Sequence, residues 1–294
     1  MSGARTRIAA VVMNDLRILR RDPAFVVIFT LMPLAFMAFT KGAFAAGLAL
    51  EYPGRGFNGA EQVVPGSAVV FSGFLVGNLG FAIFREHSWA TWDRLRASQL
   101  SAVELMAGKA VGPVLVLALQ LTVMLGGGAA LFGLNLTGSL VAFVLVAVAL
   151  AVMEVSLGFM LLAICRSVLQ LNAVTNLGAM MLGGIGGAVT PLFLLPTWAQ
   201  TIAPLTPAYW AMSGFTKVTI DGGGIADVGR PVLVLLAYSA RLSVDQGMLV
   251  LQRGKQRLDK KNALEPVAFE DLERLGQRVV APWRAAINVT LETR

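Results

Sequence analysis

Residues 139–164 read SLVAFVLVAVALAVMEVSLGFMLLAI, an apolar run carrying a single charged side chain, Glu154. An α-helix rises about 1.5 Å per residue, so roughly 20 apolar residues cross the ~30 Å hydrocarbon core of a bilayer. The run is long enough to span, and it places one acid near mid-membrane. Intramembrane acids are costly and usually belong to a pathway or a hydrogen-bonded pair.

Four further runs of similar length lie at roughly 24–47, 65–84, 110–133 and 171–195, and a sixth begins at Gly229. Over 294 residues the chain is 56% hydrophobic and 14% charged, with mean hydropathy +0.71. A soluble domain would carry about 25% charged residues. The fold class is therefore an all-α integral membrane protein with six spans. The net charge of +7 would suit nucleic acid, but the basic residues stand in the gaps between runs, where topology explains them. One cysteine, Cys165, excludes an internal disulfide and a multi-cysteine metal site, and His87 is the one histidine. No cleavable signal peptide is apparent, since the first run follows a 23-residue basic head and is long enough to span.

Lysine and arginine set the orientation. The head carries Arg5, Arg7, Arg17, Arg20 and Arg21. The interval after the second run carries Arg85, Arg94, Arg96 and Lys109, and the tail from Arg241 carries ten basic residues. The opposite side offers Lys41, Arg55, Lys217 and Arg230. Head, charged interval and tail are expected in the cytoplasm, which needs an even number of spans. In the head, Ile8, Val11, Val12, Leu16 and Leu19 share one helical face opposite the arginines, as in an interfacial helix over 1–23. Gly73/Gly77 and Gly183/Gly187 form GxxxG pairs, and GGG stands at 126–128, all suited to close helix approach.

The chain shows no phosphate loop: Gly108-Lys109 is followed by Ala110, with Val103 where the first glycine belongs. No nucleophile elbow, catalytic carboxylate pair or HExxH is present. Glu154 either lines a substrate path or bonds to a neighbouring helix, with Asn172, Thr175 and Asn176 as its expected polar company. Uphill transport would have to draw on an ion gradient or on a partner chain.

The interval Phe84–Lys109, FREHSWATWDRLRASQLSAVELMAGK, is longer than the 2–8 residues that commonly join packed helices (about that range). Its tryptophans and arginines suit a docking or interfacial helix. Phe84-Arg85-Glu86, the run Trp89–Ser98, Glu104-Leu105 and Gly108-Lys109 resemble the cytoplasmic loop of ABC-2 permeases of the multidrug and antibiotic exporter branch. Ala90 stands where that pattern has glycine, and Gln99 where it has proline. Val63-Val64-Pro65-Gly66 resembles the family's V-P-G opening of the second span. Leu195-Pro196-Thr197-Trp198, with Pro204, Pro207 and Trp210, resembles its external segment of short re-entrant helices. The resemblance covers about residues 10–240.

It implies a half-transporter: a bacterial, multi-pass subunit of the cytoplasmic membrane. It would pair with a second permease copy, identical or not, and with separate ATP-hydrolysing subunits that use ATP and Mg. This chain itself would bind no cofactor and hold no catalytic residue. The loop 85–109 would contain the coupling helix, with Arg85, Glu86, Thr91, Trp92, Arg94 and Leu95 as ATPase contacts. Segment 196–228 would be the external re-entrant part. An ion-coupled carrier or channel, and a non-transporting scaffold or permease remnant, stand as alternatives.

The end departs from the family pattern. The run over 231–240 is broken by Arg241, Asp245 and Gln246. Either the sixth helix continues to Leu251 with Arg241 and Asp245 paired, or the tail 241–294 is foreign sequence such as a frameshift would produce. The second is the expectation adopted from the abrupt end of the pattern.

Overall fold

The computed structural model describes Val12, Met13 and Arg17, residues 24–88 and 102–246, and Met248; for 24–26, 78–88 and 102–110 it describes the backbone alone. The chain divides into two compact units, Met1–Val244 and Asp245–Arg294. In the second, the described residues Asp245, Gln246 and Met248 are helical.

The described residues are helical and contain no strand. In chain order the first unit has α1 (Ala24–Glu51), α2 (Ala60–Ser88), α3 (Ala102–Thr122), a π turn (Val123–Gly127) and α4 (Gly128–Phe132). It continues with α5 (Leu140–Ile164), α6 (Val168–Ile185), the short α7 (Thr197–Ile202) and α8 (Pro207–Thr219). Residues 229–244 form the last helix, α9. Five helices among the described residues are long and apolar enough to cross a membrane: α1, α2, the α3–α4 pair, α5 and α6.

The hub is α2. Of its apolar window Ala60–Gly77, 89% of residues are buried, against 17% for the windows of α1 and α6. Around it, α1, α3, α5, α6 and α8 each lay one face inward and leave the other outward. Met37 is 0% exposed while Phe39, two residues on, is 88% exposed. In water such faces would drive aggregation; in a bilayer they are what lipid or another membrane chain covers.

Two of the glycine pairs acquire different meanings. Added Cβ atoms at Gly73 and Gly77 would stand 3.1 Å from Ala179 Cβ and 3.1 Å from Thr175 Oγ1, so this pair sets the approach of α2 to α6. Gly183 likewise faces Val70, but Gly187 has φ +84° and turns the chain after α6. That turn, followed by Pro191, ends the fifth span at Ile185, ten residues before the apolar run itself ends.

Helix ends are covered by side chains, as buried backbone groups require. Asn58 Oδ1 accepts from Ala60 N at 2.8 Å to start α2, five residues ahead of Pro65. Lys41 Nζ donates to the Phe132 carbonyl at 2.7 Å, and Asn58 Nδ2 to that of Gly133 at 2.7 Å, finishing α4. After α6 the chain passes through α7 and returns as α8, whose Phe215 and Val218 are 0% exposed in the core.

The final helix does not stop at Arg241: backbone helix runs from 229 through the end of the unit. Val232, Leu235 and Ser239 bury one face of it, with Val228 buried just ahead of its start, and Ser239 Oγ lies 2.6 Å from Ser156 Oγ of α5. After Ser239 the residues through Val244 are exposed or half-buried.

Candidate functional site

Among the described residues of the first unit, two hollows bring polar side chains together. The inner one, about 150 Å³, is lined by α2, α5, α6 and the start of α8. Its walls are apolar or small, among them Val69, Gly73, Leu150, Met153, Gly178 and Ala208, with Glu154 and Thr175 as the polar members. Glu154 is 2% exposed. Its Oε1 accepts from Ser72 Oγ of α2 at 2.7 Å. Ser72 Oγ also stands within hydrogen-bonding reach of the Ala68 carbonyl, and its single proton serves one acceptor at a time.

The second carboxyl oxygen, Oε2, has no hydrogen-bond partner among the described residues, and no basic side chain among them pairs with it. A buried carboxyl in this state is expensive, because the one hydrogen bond from Ser72 offsets only part of its lost hydration. Val174, on α6, also lines the cavity and is 42% exposed, so the hollow reaches the outer surface of the bundle there.

The expected company of Glu154 is distributed differently. Thr175 is buried beside it in the cavity wall, with its hydroxyl donating to the Leu171 carbonyl at 2.8 Å. Asn172 is half-buried, Asn176 is exposed, and neither lines the cavity. The direct partner, Ser72, was not singled out in the sequence. A serine beside Gly73 within a span was the available signal, since small polar residues in spans mark interhelical contacts. Gln120 of α3 is a second such residue: 1% exposed, its Nε2 donates to the carbonyls of Phe29 and Phe71 at 3.0 and 3.3 Å.

The outer hollow, about 360 Å³, opens where α1 ends and α2 begins. Glu51, Tyr52, Gln62, Tyr209, Lys217 and Asp221 are among its polar groups. Burial, with the carboxylates of Asp221 and Glu51, holds the Tyr52 phenol above its ordinary range. Gln62 Nε2 donates to the Gly187 carbonyl at 2.8 Å and fixes the turn after α6 as one wall. Beside it Arg230 stacks over Trp210 at 5.2 Å, and Trp210 Nε1 donates to the Pro204 carbonyl at 2.8 Å.

Of the expected ATPase contacts, Arg85 and Glu86 fall in the last turn of α2, where the backbone alone is described. Thr91, Trp92, Arg94 and Leu95 lie outside the described residues, as does most of the head 1–23. Among the described residues no three His, Cys, Asp or Glu side chains gather as metal ligands.

A family model described as ABC-2 type transporter matches residues 6–220. The Linearmycin resistance permease protein LnrN of Bacillus subtilis (strain 168) is 30% identical over 149 residues, which is 51% of this chain and 38% of that protein. The Probable multidrug ABC transporter permease YbhR of Escherichia coli (strain K12) is 27% identical over 140 residues, 47% of this chain and 36% of that protein. The matched stretch thus spans under two-fifths of either relative's own length.

Proposed function

The chain belongs to the ABC-2 type transporter family, and we propose that it is the membrane-spanning subunit of an ATP-driven exporter in the cytoplasmic membrane. Its cargo is a hydrophobic or amphipathic compound of the drug, antibiotic or lipid-like kind. The observation that carries this reading is the family match across residues 6–220, which runs through the head, the first five spans and the charged interval between α2 and α3. The names of the two relatives, a linearmycin resistance permease and a probable multidrug permease, support the cargo class.

In this reading the motor is a separate ATP-binding subunit that uses ATP and Mg. It grips the cytoplasmic interval through Arg85, Glu86, Thr91, Trp92, Arg94 and Leu95. Two permease copies complete the transporter, and the outward apolar faces of α1, α5 and α6 are shared between lipid and the second copy.

Co-purification of the permease with a phosphate-loop ATPase tests the coupling face. The combined Trp92→Glu and Arg94→Glu variant is expected to lose the ATPase while remaining in the membrane. Normal recovery of the ATPase with that variant would remove the coupling assignment. A second reading, an ion-coupled carrier, draws on the buried carboxyl of Glu154, whose Oε2 has no hydrogen-bond partner among the described residues. It requires transport in vesicles without ATP that Glu154→Gln abolishes.

A further inference from the structure

We propose that the inner cavity binds a protonated amine carried on an apolar body, with Glu154 Oε2 as the acceptor for the ammonium group. The ligand class follows from what the walls supply. An apolar cavity of roughly 150 Å³ has the capacity for a benzene-sized group, and this one measures about 150 Å³. Its polar chemistry is one carboxyl oxygen lacking a donor, 2% exposed with the rest of its side chain.

An anion would meet no basic side chain anywhere in the lining. A calcium- or magnesium-like ion takes about six or more oxygen ligands. Here the Thr175 hydroxyl is already committed to Leu171, and Glu154 Oε1 to Ser72. A quaternary ammonium has no N–H to give. A primary amine satisfies both demands at once: its N–H donors meet Oε2, and its carbon chain meets Val69, Leu150, Met153 and Leu182. The desolvation cost of the ammonium is offset by direct contact with Oε2, with the Thr175 hydroxyl oxygen, whose own proton goes to Leu171, in the same wall as a further acceptor for its N–H groups. Val174 lines the hollow and is 42% exposed on the outer side of α6, so the cavity has an opening there through which an amphiphile can enter.

The binding itself does not depend on ATP-driven export. The further step, that the amine is cargo, rests on the export reading above. Equilibrium binding in the absence of any ATPase separates the two.

The purified permease in phosphatidylcholine nanodiscs is titrated with n-hexylamine and with n-hexanol at neutral pH, using saturation-transfer NMR with empty nanodiscs as reference. The amine is expected to bind saturably and at least tenfold more tightly than the alcohol, a comparison that needs no variant. Glu154→Gln should weaken the amine at least tenfold and leave the alcohol unchanged. At Gly178 an added Cβ meets nothing within 4 Å, so Gly178→Met can fill the cavity while keeping the acid, and it should abolish amine binding. Equal affinity for amine and alcohol, no saturable amine binding, or amine binding untouched by either substitution would overturn the proposal.

Discussion

The side-chain amide of Gln120 donates to the Phe29 carbonyl at 3.0 Å, and Pro33, four residues along α1, has no N–H to offer that carbonyl. A proline inside a helix normally costs stability partly through this lost bond. In a membrane helix a neighbour can restore it, and here α3 does so across the interface. The two residues should therefore be energetically coupled. Gln120→Leu is expected to destabilise the permease, and to do so less in a Pro33→Ala background, where residue 33 regains its N–H. A coupling of about 1 kcal/mol is expected, read by denaturant titration in micelles. Strict additivity would show that Gln120 acts otherwise.

The same device recurs in α2. Pro65 cannot donate to the Glu61 carbonyl, and Thr219 Oγ1 of α8 lies 3.1 Å from that oxygen and 3.0 Å from the Phe215 carbonyl. Thr219 is 0% exposed, so water does not replace the hydroxyl. Thr219→Val, which keeps the shape, should cost about 1 kcal/mol, while Thr219→Ser retains the donor and should recover part of it. A larger loss for serine than for valine would point to the missing methyl and the packing instead.

Gly77 and Gly178 make opposite predictions although α2 and α6 are adjacent. A Cβ at Gly77 would sit 3.1–3.3 Å from three atoms of Thr175, whereas one at Gly178 meets nothing within 4 Å. Gly77→Val should push the helices apart and cost about 1–3 kcal/mol. Gly178→Ala should raise stability by up to about 1 kcal/mol through helix propensity. Thermal denaturation of the two variants in detergent distinguishes them, and a neutral Gly77→Val would contradict the packing.

Ser156 and Ser239 bring α5 and α9 within disulfide range, with their hydroxyl oxygens 2.6 Å apart. In a Cys165→Ala background, Ser156→Cys with Ser239→Cys should cross-link under mild oxidation, seen as altered gel mobility that reductant reverses. Either single cysteine should not shift the band. Failure of the pair to cross-link would mean that α9 leaves the bundle before Ser239.

The sequence by itself determined that this is a multi-span helical membrane protein. Hydrocarbon imposes a length and an apolarity that an ordinary soluble helix does not need, and runs such as 139–164 meet both. The acid at 154, the GxxxG pair at 73 and 77 and the family of the chain were legible in the same way. What the sequence could not carry was facing and partnership. In a span where nearly every residue is apolar, Met37 and Phe39 are chemically alike, yet one is in the core and the other outward. Neither lipid nor core penalises an apolar side chain, so the pattern holds little record of the choice.

Partnership failed for a related reason. Asn172, Thr175 and Asn176 were natural candidates to meet Glu154, but the bond is made by Ser72, a residue 82 positions away. Only the tertiary structure decides that bond, because helix rotation about α2 sets which small polar group faces the acid. The same holds for α9. Its charges at 241 and 245 suggested a break, while the buried face Val232, Leu235 and Ser239 against α5 keeps the helix in the bundle as far as Ser239. That buried face lies within the apolar run 231–240; the backbone stays helical beyond it, with the residues from Ala240 through Val244 exposed or half-buried.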